Sequence, residues 1–342
     1  MVLFNAAVPL LLLALLEIAP VAVARLSWLP APSWLLGLER QAYLARVRNI
    51  QYDRECARYD PEVTYTLRPG TCVFTNDEFS VRVDVNRLGL RDDELSLEAP
   101  EIVVLGDSFA MGWGVEQDET FAQLLAKRTG LRVLNAGISS YATARELLTL
   151  GRIDTSRLRL IVIQYCRDND YPENRTFVEN GGRLPIMPRE AYEALVDQSA
   201  QRGGYWLGRN LEGLLKAASG DHPIESPKPD APSEARTFLD VLRYAPVDLS
   251  HVPILLLELD GYGGSDDEFL DAVDAALAAG EAPGSGWRVR TLRLRRSLKR
   301  RHFYRLDPHL NAAGHRAVAD LILEVLPELG ITVGPSAAVP GT

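Results

Sequence analysis

Four short apolar runs constrain this chain more than any other feature: Pro100-Glu-Ile-Val-Val-Leu105, Arg132-Val-Leu-Asn-Ala136, Leu160-Ile-Val-Ile-Gln164 and Pro253-Ile-Leu-Leu-Leu-Glu258. A fifth, alternating run follows at Trp287-Arg-Val-Arg-Thr-Leu292. Apolar runs this short read as buried strands, and the stretches between them have helical periodicity, Asp266 to Ala279 among them. Strand and helix alternate, which predicts a doubly wound α/β domain with a mostly parallel sheet.

The first run ends in Gly106-Asp107-Ser108-Phe109, so it delivers a serine hydroxyl to a strand end. In an open parallel sheet the crevice beyond the strand carboxyl ends is where ligands bind. Serine alone is a weak nucleophile and needs a base and oxyanion donors. Asp307-Pro308-His309 near the C-terminus supplies a base, His309, and an acid to orient it, Asp307, ahead of a helix from Ala317 to Leu326. Two donors follow the intervening runs. Gly137 has no side chain to shield its N–H, and Asn169 carries an amide.

Ser108, Gly137, Asn169 and His309, in this order on successive strand ends, resemble the four blocks of the SGNH (GDSL-type) hydrolase superfamily over roughly residues 100 to 328. The α/β-hydrolase elbow is not met, because Ala110 stands where its second glycine belongs. The resemblance implies a three-layer α/β/α, flavodoxin-like domain. It also implies that Ser108 is the nucleophile, and that the Ser108 N–H, the Gly137 N–H and the Asn169 side chain form the oxyanion hole. Many members place the acid three residues before the histidine, where this chain has Leu306; Asp307 stands two before, as in some envelope members. Arg167 occupies a position, two before Asn169, where glycine is common.

Each residue also has a plainer reading. Ser108 after Gly-Asp suits a helix N-cap, Asn169 a turn cap between solvated Asp168 and Asp170, and Gly137 a simple turn. Asp107 reads as structural, and His315, at a helix start, as a structural histidine beside the base His309. The constellation carries the inference.

A net charge of −9 and a pI near 5.2 argue against general nucleic-acid binding. No Cys/His spacing suits a metal and no glycine loop suits a phosphate, so no cofactor is implied. Residues 2 to 24 are apolar but for Glu17, long enough to cross a bilayer. Ala22-Val23-Ala24 resembles a signal cleavage site, whereas Trp28 and Trp34 suit a headgroup belt and favour a retained anchor. The arginines after the segment, Arg25, Arg40, Arg46 and Arg48, run against the positive-inside pattern; export of the body is still expected from the family resemblance. Cys56 and Cys72 can pair in an oxidising compartment, and Cys166 reads as a buried small residue.

The expected organisation is a membrane anchor or signal at 1–25, a lead segment at 26–99, the hydrolase domain at 100–330 and a tail at 331–342. In the lead segment a helix is expected around Trp34 to Arg48 and a strand at Ser80–Val85. Asn86-Arg-Leu-Gly-Leu-Arg91 resembles a segment just upstream of the core in bacterial envelope members. An insertion, 174–234, with a helix from Arg189 to Ala218 and a loop from Asp221 to Pro232, is a candidate lid or substrate wall. The basic run Arg288–Arg301 reads as a solvated helix face, or as a surface that steers an anionic glycan or rests on lipid headgroups.

The expected function is a serine ester hydrolase acting on an acylated envelope glycan or lipid, membrane-anchored with its catalytic domain outside the cytoplasm. O-acyl transfer to an exported polysaccharide shares the first half-reaction. A silent glycan-binding scaffold is the contrasting reading, opposed by the complete reactive set. The sequence leaves the oligomeric state open.

Overall fold

The computed structural model describes residues 32–202, 208–219, 229–284 and 286–332, together with Leu11, Ala14, Leu15, Glu17 and Ile18. Its centre is a five-stranded sheet built from β5 (Ile102–Leu105), β6 (Val133–Asn135), β7 (Leu160–Tyr165), β8 (Pro253–Glu258) and β9 (Arg288–Leu292). The order is β6-β5-β7-β8-β9 and every pairing is parallel. The five expected runs are the five strands.

Alternation along each strand divides the core in two. Val103, Leu105, Ile161, Ile163, Ile254 and Leu256 face one helical layer, with Leu147, Phe177, Phe238 and Phe269 packed against them. These come from α4 (Thr143–Leu150), α5 (Arg167–Glu179), α8 (Ala231–Leu242) and α9 (Glu268–Ala278). Ile102, Val104, Leu160, Val162, Leu255 and Leu257 face Phe121, Leu125, Val318 and Ile322 of α3 (Phe121–Thr129) and α10 (Ala312–Val325). The result is a three-layer α/β/α sandwich. Edge strand β9 is only partly buried, which is why its sequence alternates.

The lead segment holds α1 (Ser33–Leu44) and two hairpins, β1 (Ala57–Asp60) with β2 (Thr64–Leu67) and β3 (Gly70–Thr75) with β4 (Ser80–Val85). Of these strands only β4 was legible in the sequence. Cys56 and Cys72 are bridged, while Cys166 is free and buried.

Three sequence expectations change in detail. The stretch Arg189–Ala218 forms two helices, α6 (Arg189–Arg202) and α7 (Arg209–Ala218). Residues 174–179 continue α5, and α8 buries Ala235, Phe238 and Leu239 in the core, so both ends of the 174–234 insertion merge with core helices. The basic run is not a helix face: it enters the edge strand β9 and then turns, ending in a one-turn 3-10 helix, Arg300–His302.

Most of the apolar segment at 2–24, and Trp28, lie outside the described residues. Among the described residues no helix is long and apolar enough to cross a membrane.

Candidate active site

Between β5 and Ser108 the chain turns through Gly106, whose φ of +151° suits glycine; a Cβ there would come within 2.6 Å of Gln164 Oε1 and 2.7 Å of the Ala110 Cβ. Asp107 caps the short helix α2 (Ser108–Met111) by accepting from the Phe109 N–H at 2.9 Å. The cap is therefore Asp107, and Ser108 is the first helical residue, where its own N–H has no acceptor within the helix.

Ser108 Oγ lies 2.7 Å from His309 Nε2, and His309 Nδ1 lies 2.6 Å from Asp307 Oδ1. The two-residue spacing lets Asp307 also accept the His309 backbone N–H at 2.9 Å, so one carboxylate oxygen fixes both ring and main chain. Trp113 Nε1 donates to the other oxygen at 2.9 Å, and the Tyr43 hydroxyl of α1 donates to it as well. Burial pushes Asp307 up, but the charge of His309 and the hydrogen bonds from His309 and Tyr43 outweigh it and hold the carboxyl below its ordinary value. His309 is sandwiched between Trp113 and Phe109, with ring centroids at 5.0 and 4.7 Å.

The loop carrying Asp307 is held from outside the core domain. Glu78, in the β3–β4 turn, accepts the backbone N–H groups of Arg305, Leu306 and Asp307 at 2.8, 2.7 and 2.6 Å. Arg91, the last residue of the motif that begins at Asn86, is buried against the turn that follows α2. Its guanidinium donates to the carbonyls of Gly112 at 2.5 Å and Val115 at 2.7 Å, bracing the turn after α2. Gly89 of the same motif has φ +82°, and a Cβ would meet Thr66 Oγ1 at 2.2 Å. Tyr43, Trp113, Glu78 and Arg91 were all missed as site residues in the sequence.

The oxyanion candidates are unequally placed. Asn169, in the first turn of α5, borders the same cleft as Ser108 and His309. One of its amide hydrogens goes to Asp107 Oδ2 at 2.5 Å, which leaves the second for a ligand. Gly137 does not border the cleft: its N–H donates to Asn135 Oδ1 at 3.1 Å, and a Cβ would meet the Met111 nitrogen at 2.5 Å. The absence of a side chain serves close packing beneath α2, and its N–H reaches a ligand only if Asn135 shares it. Asp107 is fully buried and desolvation raises it to about 6, against the hydrogen bonds from Phe109 and Asn169.

His315 lies apart, buried in α10, and accepts the Phe121 N–H at 3.2 Å. Desolvation, with Arg91 and His309, lowers it to about 3. Arg167 turns away into ion pairs with buried Glu234 at 2.9 Å and with Asp266 at 3.2 Å. The cleft itself is about 820 Å³, walled by Tyr43, Trp113, Tyr171 and Tyr262 among others, with Pro229 of the insertion at its edge. Among the described residues no group of three His, Cys, Asp or Glu side chains is placed to hold a metal ion.

A parallel sheet with serine after its first strand, glycine after its second, asparagine after its third and an Asp-x-His loop after its last is a distinctive combination. It is the arrangement expected from the resemblance to SGNH (GDSL-type) hydrolases. No family model and no curated sequence matches it. Among solved structures it is similar to a candidate GDSL-like lipase from Bacteroides ovatus, at 13% identity and TM-score 0.39, covering 68% of this chain and 55% of that one. It is also similar to TesA, at 17% identity and TM-score 0.33, covering 67% and 98%. A third is the salicylyl-acyltransferase SsfX3 from a tetracycline biosynthetic pathway, at 14% identity and TM-score 0.35, covering 71% and 59%. The chain thus spans little more than half of the first and third.

Proposed function

We propose that this protein is a serine ester hydrolase working through an acyl-enzyme. The observation that carries the reading is the continuous relay Ser108 Oγ, His309 Nε2, His309 Nδ1, Asp307 Oδ1, with links of 2.7 and 2.6 Å, open to a cleft. Ser108 Oγ attacks the ester carbonyl while His309 Nε2 takes its proton. The oxyanion that forms is met by the Ser108 N–H and the second Asn169 amide hydrogen, with Gly137 a third donor where Asn135 shares it. His309 returns the proton to the departing alcohol, leaving Ser108 acylated. Water then enters and attacks the acyl carbonyl as His309 takes one of its protons; His309 returns that proton to Ser108 Oγ as the acyl–oxygen bond breaks and the acid leaves. A sugar hydroxyl in place of water makes the same enzyme an O-acyltransferase.

An open cleft with Tyr171 and Tyr262 set among polar side chains suits a sugar ring, which supports an acylated glycan as substrate ahead of a simple lipid. The Cys56–Cys72 bridge supports residence outside the cytoplasm, where disulfides persist. Exposed Leu11, Leu15, Ile18, Trp34 and Leu215 support membrane association. The test is labelling with a fluorophosphonate followed by peptide mapping. Modification at Ser108, absent from Ser108→Ala, is expected; a folded protein that resists the probe at Ser108 refutes the proposal.

A further inference from the structure

A second cleft, about 890 Å³, lies between α1 and the 300–305 turn, and its wall carries Arg40, Arg300, Arg301 and Arg305. Arg40 and Arg300 each place a guanidinium carbon 4.8 Å from the centroid of the Tyr262 ring, and Tyr262 also walls the active-site cleft. Arg40 Nε and Arg300 Nη2 both donate to the Arg305 carbonyl, at 3.0 and 2.7 Å, and Arg300 Nη1 donates to the Tyr304 carbonyl at 2.5 Å. These bonds hold the guanidinium groups together without neutralising them. Glu78 is the only acid in the wall among the described residues, and its carboxylate is turned to the backbone N–H groups of 305–307.

Elsewhere in the same basic run Arg290 pairs with Glu328 and Arg293 with Asp271 and Asp274, while Arg288 and Arg295 donate to the backbone carbonyls of His251 and Asp266. Arg301 makes no hydrogen bond or ion pair through its side chain with a described residue. Partial desolvation, then the like charge of Arg40, holds Arg300 below arginine's usual range, a cost that a bound anion would relieve.

We propose that this cleft is a binding site for a phosphate-bearing group, linked to the active-site cleft through Tyr262, on which Arg40 and Arg300 stack. Several forked guanidinium groups converging on one cleft exceed what a single carboxylate can engage, and they match a phosphate or pyrophosphate with its several oxygens. The phosphate belongs either to a soluble phosphorylated ligand or to an anionic lipid headgroup; both present the same chemistry to the arginines.

The site is tested by binding, independently of turnover, so that its failure and the failure of the ester chemistry are separate results. The full-length protein is titrated calorimetrically with inorganic pyrophosphate, and its capture is measured on phosphatidylcholine vesicles with and without phosphatidylglycerol. Saturable, salt-sensitive pyrophosphate binding that weakens at least about tenfold in Arg301→Gln and in Arg300→Gln is expected. Capture by phosphatidylglycerol vesicles alone, lost in the same variants, would support the site and assign it to lipid. Each variant must melt cooperatively. Arg301→Gln keeps the test readable if Arg300→Gln, which loses two carbonyl contacts, does not fold. No binding to either probe, or binding indifferent to Arg301→Gln, overturns the proposal.

Discussion

The hydroxyl of Tyr43, on a helix of the lead segment, donates to Asp307, the carboxylate that orients His309, from 264 residues away in the chain. The lead segment is therefore part of the catalytic arrangement and not a spacer before it. Tyr43→Phe should lower turnover of a small activated ester by about tenfold or less, because Trp113 and His309 still hold Asp307; a net hydrogen bond to a charged group is worth roughly 1.5 kcal/mol. Steady-state kinetics alongside a thermal melt check this, and an unchanged kcat would detach α1 from the site.

Ser108→Ala and His309→Ala should each reduce turnover by several orders of magnitude, with the double variant little worse than either, since residues acting as a unit are not additive. Asp307→Ala should fall between those and Asn169→Ala, for which a loss of about 10² to 10³ is expected of one oxyanion donor. If His315 proves indispensable in a folded protein and His309 does not, the base has been assigned to the wrong histidine.

Glu78→Gln keeps the shape of the β3–β4 turn but removes the charge that gathers three backbone N–H groups of the Asp307 loop. Hydrogen bonds to a charged acceptor are worth roughly 1.5 to 3 kcal/mol each. The variant should melt earlier and lose kcat more than KM, because Glu78 does not line the active-site cleft. A melt unchanged from wild type would contradict that account.

His315 is depressed from 6.5 to about 3 in the folded protein. A group with a lowered folded pKa that must gain charge in acid contributes stability in full above 6.5, and that contribution is lost as pH falls toward 3. Asp107 acts oppositely over part of the same range: its carboxyl is raised from 3.8 to about 6, so its contribution declines as pH rises between those values. His315→Gln keeps an acceptor for the Phe121 N–H without titrating. The difference in melting temperature between wild type and this variant should shrink steadily from pH 7 to pH 4, and a pH-independent difference would count against a neutral buried His315.

Cys56 and Cys72 close a loop with a sequence separation of 16, for which the chain-entropy argument gives about 3 kcal/mol. Reduction, or Cys56→Ser with Cys72→Ser, should destabilise by about that amount in denaturant titrations. Free thiols at both positions in protein isolated from its native compartment would remove the support that the bridge lends to export.

The sheet was legible because a strand buried on both faces is a near-continuous apolar run, as β5 is throughout and β7 and β8 are until they reach Gln164 and Glu258 at their carboxyl ends. Ser108 and Asn169 were legible because each follows a strand by three or four residues, and Asp307 and His309 because acid and base stand two residues apart just ahead of the last α-helix. Trp113, Tyr43, Glu78 and Arg91 were not, because what makes each one matter is a partner distant in sequence: Trp113 meets Asp307 across 194 residues and Glu78 meets it across 229. Three of the four strands in the lead hairpins were missed for a related reason. β1, β2 and β3 are short and mix polar with apolar residues, and their register is fixed only once they pair. Gly137 shows the converse: its sequence position fitted a donor, while the packing of its Cα against residues 110–111 supplies a sufficient reason for glycine.

Because Asp307 Oδ1 holds both the ring and the backbone N–H of His309, acid and base form a small chelate that moves as one body. Loosening the lead segment would draw this chelate away from Ser108 without parting its two members. The proton between Asp307 and His309 should then keep its far-downfield resonance in a preparation that no longer turns over, so an inactive sample that still shows that signal has lost its alignment and not its base.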